Sequence, residues 1–171
     1  MTPEEYVDIP QTKKVYASMN KRFLKKNKKI LYLKSVDSCR EYCVELLTAL
    51  GFPQGLGTPR VITHEQLTEK EFDDMVWDNP RMFRQVLDGT ATCYASSLNA
   101  IVLPTGGLML NRLAVSHELA HWACSVLRAH EADGHGPVFV GTHLRLLNGD
   151  RRVRKLVERS YMENGVEWVD E

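Results

Sequence analysis

The sequence has only four cysteines, and no two of them form a CxxC pair. Such scattered thiols fit a reducing compartment better than a disulfide framework. Two of them, Cys39 and Cys43, are four residues apart on a predicted helix and could share a metal ion. Buried cysteines are common as small core residues, so we favour a packing role for both.

Long hydrophobic runs are also missing. The longest apolar run in the first part of the chain, residues 30–33, is far shorter than the roughly 20 residues that a membrane helix needs. The N-terminal segment MTPEEYVDIP is acidic and lacks the basic start of an export signal. We therefore expect a cytoplasmic protein without a membrane partner.

Acidic residues are missing from residues 11–34, which contain nine basic residues, although the formal net charge of the whole chain is zero. The apolar residues Val15, Met19 and Phe23 recur every four positions and predict one amphipathic helix over residues 11–29. The lysines are best explained as the solvated face and C-terminal end of this helix. A nucleic-acid surface is the weaker alternative, since no known binding signature accompanies the charge.

The remaining composition, with 43% hydrophobic and 26% charged residues in 171, is ordinary for one globular domain. We expect a helical basic part at 1–50, a part with the strands and central helices at 59–147, and a C-terminal helix with an acidic tail at 150–171. The spacing of apolar residues predicts the helices and strands, and glycine, proline and asparagine mark where they end. The predicted helices are 35–50, part of 65–78, a short one ending near 89, 137–147 and 151–162, and the predicted strands are 60–63, 91–95 and 100–103.

The most informative stretch is residues 111–139, NRLAVSHELAHWACSVLRAHEADGHGPVF, with an HExxH motif at His117, Glu118 and His121. Apolar residues at three- and four-residue spacing predict a helix here. Residues four apart share one helix face, so both imidazoles can bind one metal ion. Glu118 is displaced around the helix, where its carboxylate can reach a metal-bound water. The less favoured alternative is a helix with two hydrogen-bonded, partly buried histidines.

A catalytic zinc site usually has three protein ligands and one open position, so a third ligand is needed. The metzincin continuation fails, because Cys124 stands where that motif has glycine and Leu127 where it has histidine. The remaining candidates are His130, Glu131, Asp133, His135 and His143. Among them we favour His135, because the sequence GHGP predicts a tight turn at a helix start that can direct this side chain back toward the preceding helix, with Phe139 as a packing anchor.

The segment HELAH followed by GHGPVF, with 13 residues between His121 and His135, resembles the SprT-like and Spartan metalloproteases. In those proteins HExxH precedes an HGxxF segment with the third histidine ligand. The sequence resembles even more closely a small family of HExxH-motif metalloproteins from actinobacteria and their phages, which share a lead-in like AIVLP before a SHELAH helix. The resemblance covers residues 92–147, about a third of the chain.

This resemblance implies a zincin-like α+β fold that is mostly helical, with a small mixed sheet beside the HExxH helix. It also implies that His117, His121 and His135 bind zinc and that Glu118 is the general base of a metallopeptidase acting on a protein or peptide. A three-histidine site favours zinc on ligand type. The strand at 100–103, which precedes the HExxH helix, could pair with an extended substrate if it is an edge strand.

Two questions stay open. SprT-like proteins often carry a cysteine-rich zinc ribbon, and the missing CxxC pair removes support for their role on DNA. The alternative function is a zinc-stabilised binding or regulatory module without turnover, contacting nucleic acid or a host protein through basic segments. A second donor to the reaction oxyanion is also unassigned, because the candidates His143, Tyr94 and Tyr161 are more typical of packing or surface residues.

Overall fold

The computed structural model describes residues 10–52, 57–127 and 134–169, and its elements below belong to these ranges. The helices are α1 (Pro10–Ser18), α2 (Lys21–Lys26), α3 (Lys28–Leu31), α4 (Val36–Ala49), α5 (Glu69–Asp78), α6 (Pro80–Leu87), α7 (Arg112–Leu127), α8 (Pro137–Leu146) and α9 (Arg151–Glu163). The strands are β1 (Arg60–Thr63), β2 (Cys93–Ala95) and β3 (Ala100–Leu103). The protein is therefore mostly helical with a small sheet, as expected for the α+β class.

The predicted single helix over residues 11–29 is wrong, because α1, α2 and α3 are separate. Asn20 lies between α1 and α2, where its side-chain amide donates to the Ala17 carbonyl (2.6 Å) and its side-chain oxygen accepts from the Phe23 N–H (3.0 Å). Asn27 ends α2 by donating to the Phe23 carbonyl (3.0 Å). Asparagine side chains compete with main-chain helix bonds, so they interrupt the helix although the apolar spacing continues.

The second predicted helix is present as α4. It begins after Ser35, whose hydroxyl accepts a hydrogen bond from the Ser38 N–H (3.1 Å), as a helix N-cap does. Cys39 and Cys43 are buried free thiols on its inner face. Burial raises the pKa of Cys39 to about 11 and that of Cys43 to about 12. Both thiols are therefore protonated core residues, in agreement with the packing role favoured for them.

The three strands form a mixed sheet in the order β1-β3-β2, with β1 parallel and β2 antiparallel to β3. β3 is fully buried and central, so it is not the edge strand that could pair with a substrate. Alternate side chains of β3 face opposite sides. Ala100 and Val102 pack in a cluster with residues of α5 and α6, whereas Ile101 and Leu103 belong to the main core.

The main core is built around α7. Leu113, Val115, Leu119, Trp122 and Ala123 are buried there, which makes this helix apolar on most of its circumference. A helix that is hydrophobic all round is enclosed by other elements. Here α4 and α8 pack directly against it, and the sheet lies beside it at β2. The HExxH motif is thus held on a helix that the main core surrounds on several sides.

The segment after α9 is more than an acidic tail. Val166 is buried, and Trp168 packs against the main core. The Val169 N–H donates to the Pro137 carbonyl (3.4 Å) at the start of α8. A Cβ atom on Gly141 would clash with the Val169 carbonyl, which explains a glycine within α8. Residues 166–169 therefore cover the helix that follows the predicted third ligand.

Within the described ranges, no helix combines the length and the apolar character needed to cross a bilayer.

Candidate metal centre and active site

Helix α7 places the two histidines of the motif side by side. Asn111 caps this helix, because its side-chain oxygen accepts from the Ala114 N–H (2.8 Å) and its amide donates to the Leu108 carbonyl (2.6 Å). One turn separates His117 from His121, and their ring centroids are 4.9 Å apart. The helical spacing predicted from the sequence therefore brings both imidazoles to one place.

His135 completes a group of three imidazoles. It lies in the turn before α8, and its Nε2 atom is 2.9 Å from Nε2 of His117. Its ring centroid is 4.9 Å from that of His121. One ring nitrogen from each of the three histidines lies within 4.8 Å of the others, an arrangement that could hold a metal ion. The structure thus brings together His117, His121 and the favoured third candidate.

The backbone around His135 is shaped by two glycines and a proline. Gly134 has φ of 53°, in the left-handed region that glycine adopts without strain. Gly136 precedes α8 and Pro137 is its first residue, where a missing N–H costs nothing. The Phe139 ring lies 4.8 Å from the His135 ring and 4.4 Å from the His121 ring, as measured between centroids. Phe139 is therefore the packing anchor that the sequence predicted.

Gln11 was not expected from the sequence and holds the same turn from α1. Its side-chain amide donates to the carbonyl of His135 (3.3 Å) and to that of Glu167 (2.7 Å). Its side-chain oxygen accepts from the Glu167 N–H (3.1 Å). Both ends of the described chain thus meet at the third histidine. No local signal could indicate this contact, because it joins residues more than a hundred positions apart.

Of the other candidates for the third ligand, three lie outside the described residues and one is already hydrogen-bonded. His130, Glu131 and Asp133 lie outside the described residues. His143 is fully buried, and both of its ring nitrogens have partners: Nε2 with the Ser116 hydroxyl (2.8 Å) and Nδ1 with the Tyr161 hydroxyl (2.8 Å). These bonds explain His143 and Tyr161 as a buried network behind the site, which agrees with the packing roles favoured for them.

Burial keeps the three histidines neutral. Desolvation, together with the neighbouring histidines, lowers the pKa of His121 to about 3, and desolvation lowers that of His135 to about 4. Burial, followed by the neighbouring histidines, places the pKa of His117 well below its ordinary value. A neutral imidazole has a free lone pair on one nitrogen, so no proton must leave before a cation binds at neutral pH.

The donor set fits a zinc ion. The Nε2 atoms of His117 and His135 face each other at 2.9 Å, so the lone pairs of both can be directed at one cation. The Nδ1 atom of His117 is buried and has no hydrogen-bond partner among the described residues. Three imidazole nitrogens are a common zinc ligand set, and zinc tolerates the tetrahedral arrangement that leaves one position open.

The Glu118 carboxylate is held by hydrogen bonds to β2 and to the residue that precedes this strand. Its Oε1 atom accepts a hydrogen bond from the Thr92 hydroxyl (3.0 Å), and its Oε2 atom accepts one from the Tyr94 N–H (2.8 Å). Burial raises the pKa of Glu118 to about 8, although these two bonds lower it. Tyr94 therefore contacts Glu118 through its main-chain N–H. Thr92 was not expected, since its contact with Glu118 exists only in the folded chain.

The motif opens into a cavity of about 490 Å³. His117, Glu118 and His121 form one wall, and residues of α1, α2 and α6, the loop before β2 and the segment before α7 form the others. Tyr16 also lines the cavity and lies edge-on to His135, with 4.9 Å between ring centroids. A substrate of more than solvent size can therefore reach Glu118 and the motif histidines.

Comparison of the chain with protein-family models, with curated protein sequences and with solved structures gives no match. What the fold and the site define is an α+β protein with a candidate metal centre of three buried or half-buried histidines. Its function is inferred from this geometry.

Proposed function

We propose that the protein is a zinc-dependent peptidase with His117, His121 and His135 as zinc ligands and Glu118 as general base. One observation carries the proposal: three imidazoles from α7 and the turn before α8 converge, and two of them line an open cavity together with the buried Glu118 carboxylate. The zincin-like core and the kinship with SprT-like proteins belong to the same proposal. They are supported by the order of strand, loop, HExxH helix and GHGPVF segment.

A zinc ion in such a site supplies Lewis-acid activation of water and of the scissile carbonyl. The chain itself supplies the proton transfers. Glu118 accepts a proton from the attacking water as the new carbon–oxygen bond forms, and it returns this proton to the amine nitrogen as the carbon–nitrogen bond breaks. Positive charge beside Glu118 would lower its raised pKa again, because an opposite charge favours the carboxylate. The base would then be ionised at neutral pH.

A polypeptide is the substrate class that the sheet favours. Among the described strands, β2 pairs only with β3, and it contacts Glu118 through the Tyr94 N–H. An edge strand can bind an extended peptide by main-chain hydrogen bonds. The sequence suggested that residues 100–103 pair with the substrate, and we assign this pairing to β2 instead.

The proposal is tested with a Glu118→Gln variant and an unfolded protein mixture as substrate, with products read by mass spectrometry. We expect the wild-type protein to cleave peptide bonds only with zinc, and the variant to retain zinc while its rate falls by at least about 100-fold. Equal cleavage by both proteins would remove Glu118 from the mechanism. Zinc retention without any cleavage by the wild-type protein would instead favour the binding or regulatory module.

A further inference from the structure

The charged side chains of α2 take no part in the proposed chemistry. Lys21, Arg22, Lys25 and Lys26 are all exposed. No acidic residue occurs in residues 11–34, so the segment does not neutralise its own charge. Salt screens exposed charges beyond about 8 Å under physiological conditions. A ligand must therefore lie alongside α2 to use this charge.

The helix α2 is also part of the cavity wall. Lys21 and Leu24 line the same cavity as Glu118. Lys25 follows Lys21 by one helical turn and lies on the same face. A chain bound at Glu118 and extending along this wall thus meets a positively charged rim.

The inner wall is apolar. The leucines and methionines that line the cavity are Met19, Leu24, Met82, Leu108, Met109 and Leu113. Methionine side chains adapt to apolar groups of different shape. Lys21 is the lysine and Glu118 the acidic residue among the described residues that line the cavity. At about 490 Å³, the space is within the range of pockets that enclose small ligands, so it can receive a large apolar side chain.

A nucleic acid fits this surface less well. Binding of single strands relies on aromatic rings on which bases stack. The exposed aromatic residues of α1 and of the end of α3 are Tyr16 and Tyr32. The ammonium of Lys28 lies over the Tyr32 ring, 5.3 Å from its centroid, and Tyr16 packs edge-on to His135. Both rings therefore already contact other side chains. The phosphate backbone of a nucleic acid has no apolar group that could pack against the leucines and methionines of the cavity.

We propose, on the basis of the proposed peptidase function, that the substrates are acidic polypeptide segments with a large apolar residue next to the scissile bond. The apolar side chain occupies the cavity and contacts Met82 and Met109. The carboxylates of the flanking residues pair with Lys21 and Lys25. The site thereby selects for both charge and hydrophobicity.

The charge is tested with zinc-loaded full-length protein and matched fluorescent peptides that combine a central leucine or serine with glutamate or lysine flanks. We expect kcat/KM to be at least about tenfold higher for the leucine peptide with glutamate flanks than for any other. Lys21→Glu should raise KM for this peptide by about tenfold and leave kcat unchanged, because a rim charge acts on binding. Lys155→Glu, at an exposed lysine of α9, is the matched control and should change neither.

The apolar wall is tested with Met82→Trp and, in case that variant does not fold, Met109→Trp. Each should fill part of the cavity and shift the preference from leucine toward alanine or serine. Met162→Trp is the control, because Met162 is exposed on α9. Cleavage that depends on Glu118 but ignores both the central residue and the flanks would overturn the substrate proposal and leave the peptidase intact.

Binding to the Glu118→Gln variant separates the two proposals. Tight binding of the leucine peptide with glutamate flanks that is lost in the additional Lys21→Glu substitution supports the substrate class. If the wild-type protein binds this peptide but cleaves nothing, only the peptidase proposal fails. No binding preference among the peptides overturns the substrate class. A labelled single-stranded oligonucleotide that binds more tightly than every peptide, through Lys21, also overturns it and assigns the surface to nucleic acid.

Discussion

At the residue scale, the position of Glu118 depends on side chains and main chain far away in the sequence. The Thr92 hydroxyl and the Tyr94 N–H each donate to one carboxylate oxygen. Thr92 is buried, so water does not compete strongly for its hydroxyl. These two bonds fix the carboxylate between β2 and the cavity. In the proposed mechanism, Thr92 is therefore a positioning residue that acts through Glu118.

Thr92→Val keeps the size of the side chain and removes the hydroxyl. We expect kcat to fall by about 10- to 100-fold with little change in KM, because a displaced base slows proton transfer without weakening substrate binding. Thr92→Ser retains the hydroxyl and should restore most of the rate. Steady-state kinetics with one peptide measures both. A rate loss in the serine variant as large as in the valine variant would point to a packing role instead.

At the element scale, the turn at residues 134–136 is held by elements from both ends of the described chain. Gln11 of α1 bonds the His135 and Glu167 carbonyls. Residues 166–169 cover α8 through the contact between Val169 and Gly141. The third histidine is thus oriented by partners outside the motif, and such partners commonly tune metal affinity.

Gln11→Ala should weaken zinc binding by about tenfold, because the turn with His135 loses its anchor. Lys14→Ala is the matched control: Lys14 also joins α1 to the C-terminal segment, through the Gly165 carbonyl (3.0 Å), whereas Gln11 also bonds the His135 carbonyl. Competition with a fluorescent zinc chelator measures both affinities. Equal zinc affinity in the two variants would contradict this role of Gln11.

Local patterns predicted the helices that contain the motif, and tertiary contacts explain what they missed. The periodicity around His117 and the GHGP turn are local signals, so α7 and the start of α8 agree with the prediction. Asn20 and Asn27 break the first helix through side-chain bonds that apolar spacing does not reveal. The contact of Thr92 with Glu118 arises from the packing of β2 on α7, which a single sequence does not encode in any motif.

At the scale of the whole molecule, four histidines are enclosed in a neutral state. Burial lowers the pKa of His117, His121, His135 and His143, and that of His143 is about 3. In the unfolded chain these groups titrate near 6.5. Below that pH the four histidines bind more protons in the unfolded state than in the folded state, which outweighs the single proton that the raised pKa of Glu118 adds to the folded state, so acid favours unfolding of the metal-free protein.

The free energy of unfolding of the chelator-treated protein should therefore fall as the pH decreases from about 6.5 toward 4, by up to about 1.4 kcal/mol per pH unit for each histidine. Urea unfolding at several pH values measures this slope. His143→Gln removes one of the four groups and should make the slope shallower, in addition to lowering stability at neutral pH through the loss of its two buried bonds. Stability that is constant or rises over this range would contradict neutral buried histidines.

The central claim is that three histidines of this fold, including His135 from the turn before α8, hold one zinc ion. The most direct test is the zinc content per chain, measured by mass spectrometry of the metal, in the purified wild-type protein and in His135→Ala, with His64→Ala outside the group as control. We expect one zinc ion per chain in the wild-type protein and in the control, and its loss from His135→Ala on dialysis. Full zinc retention by His135→Ala would contradict it.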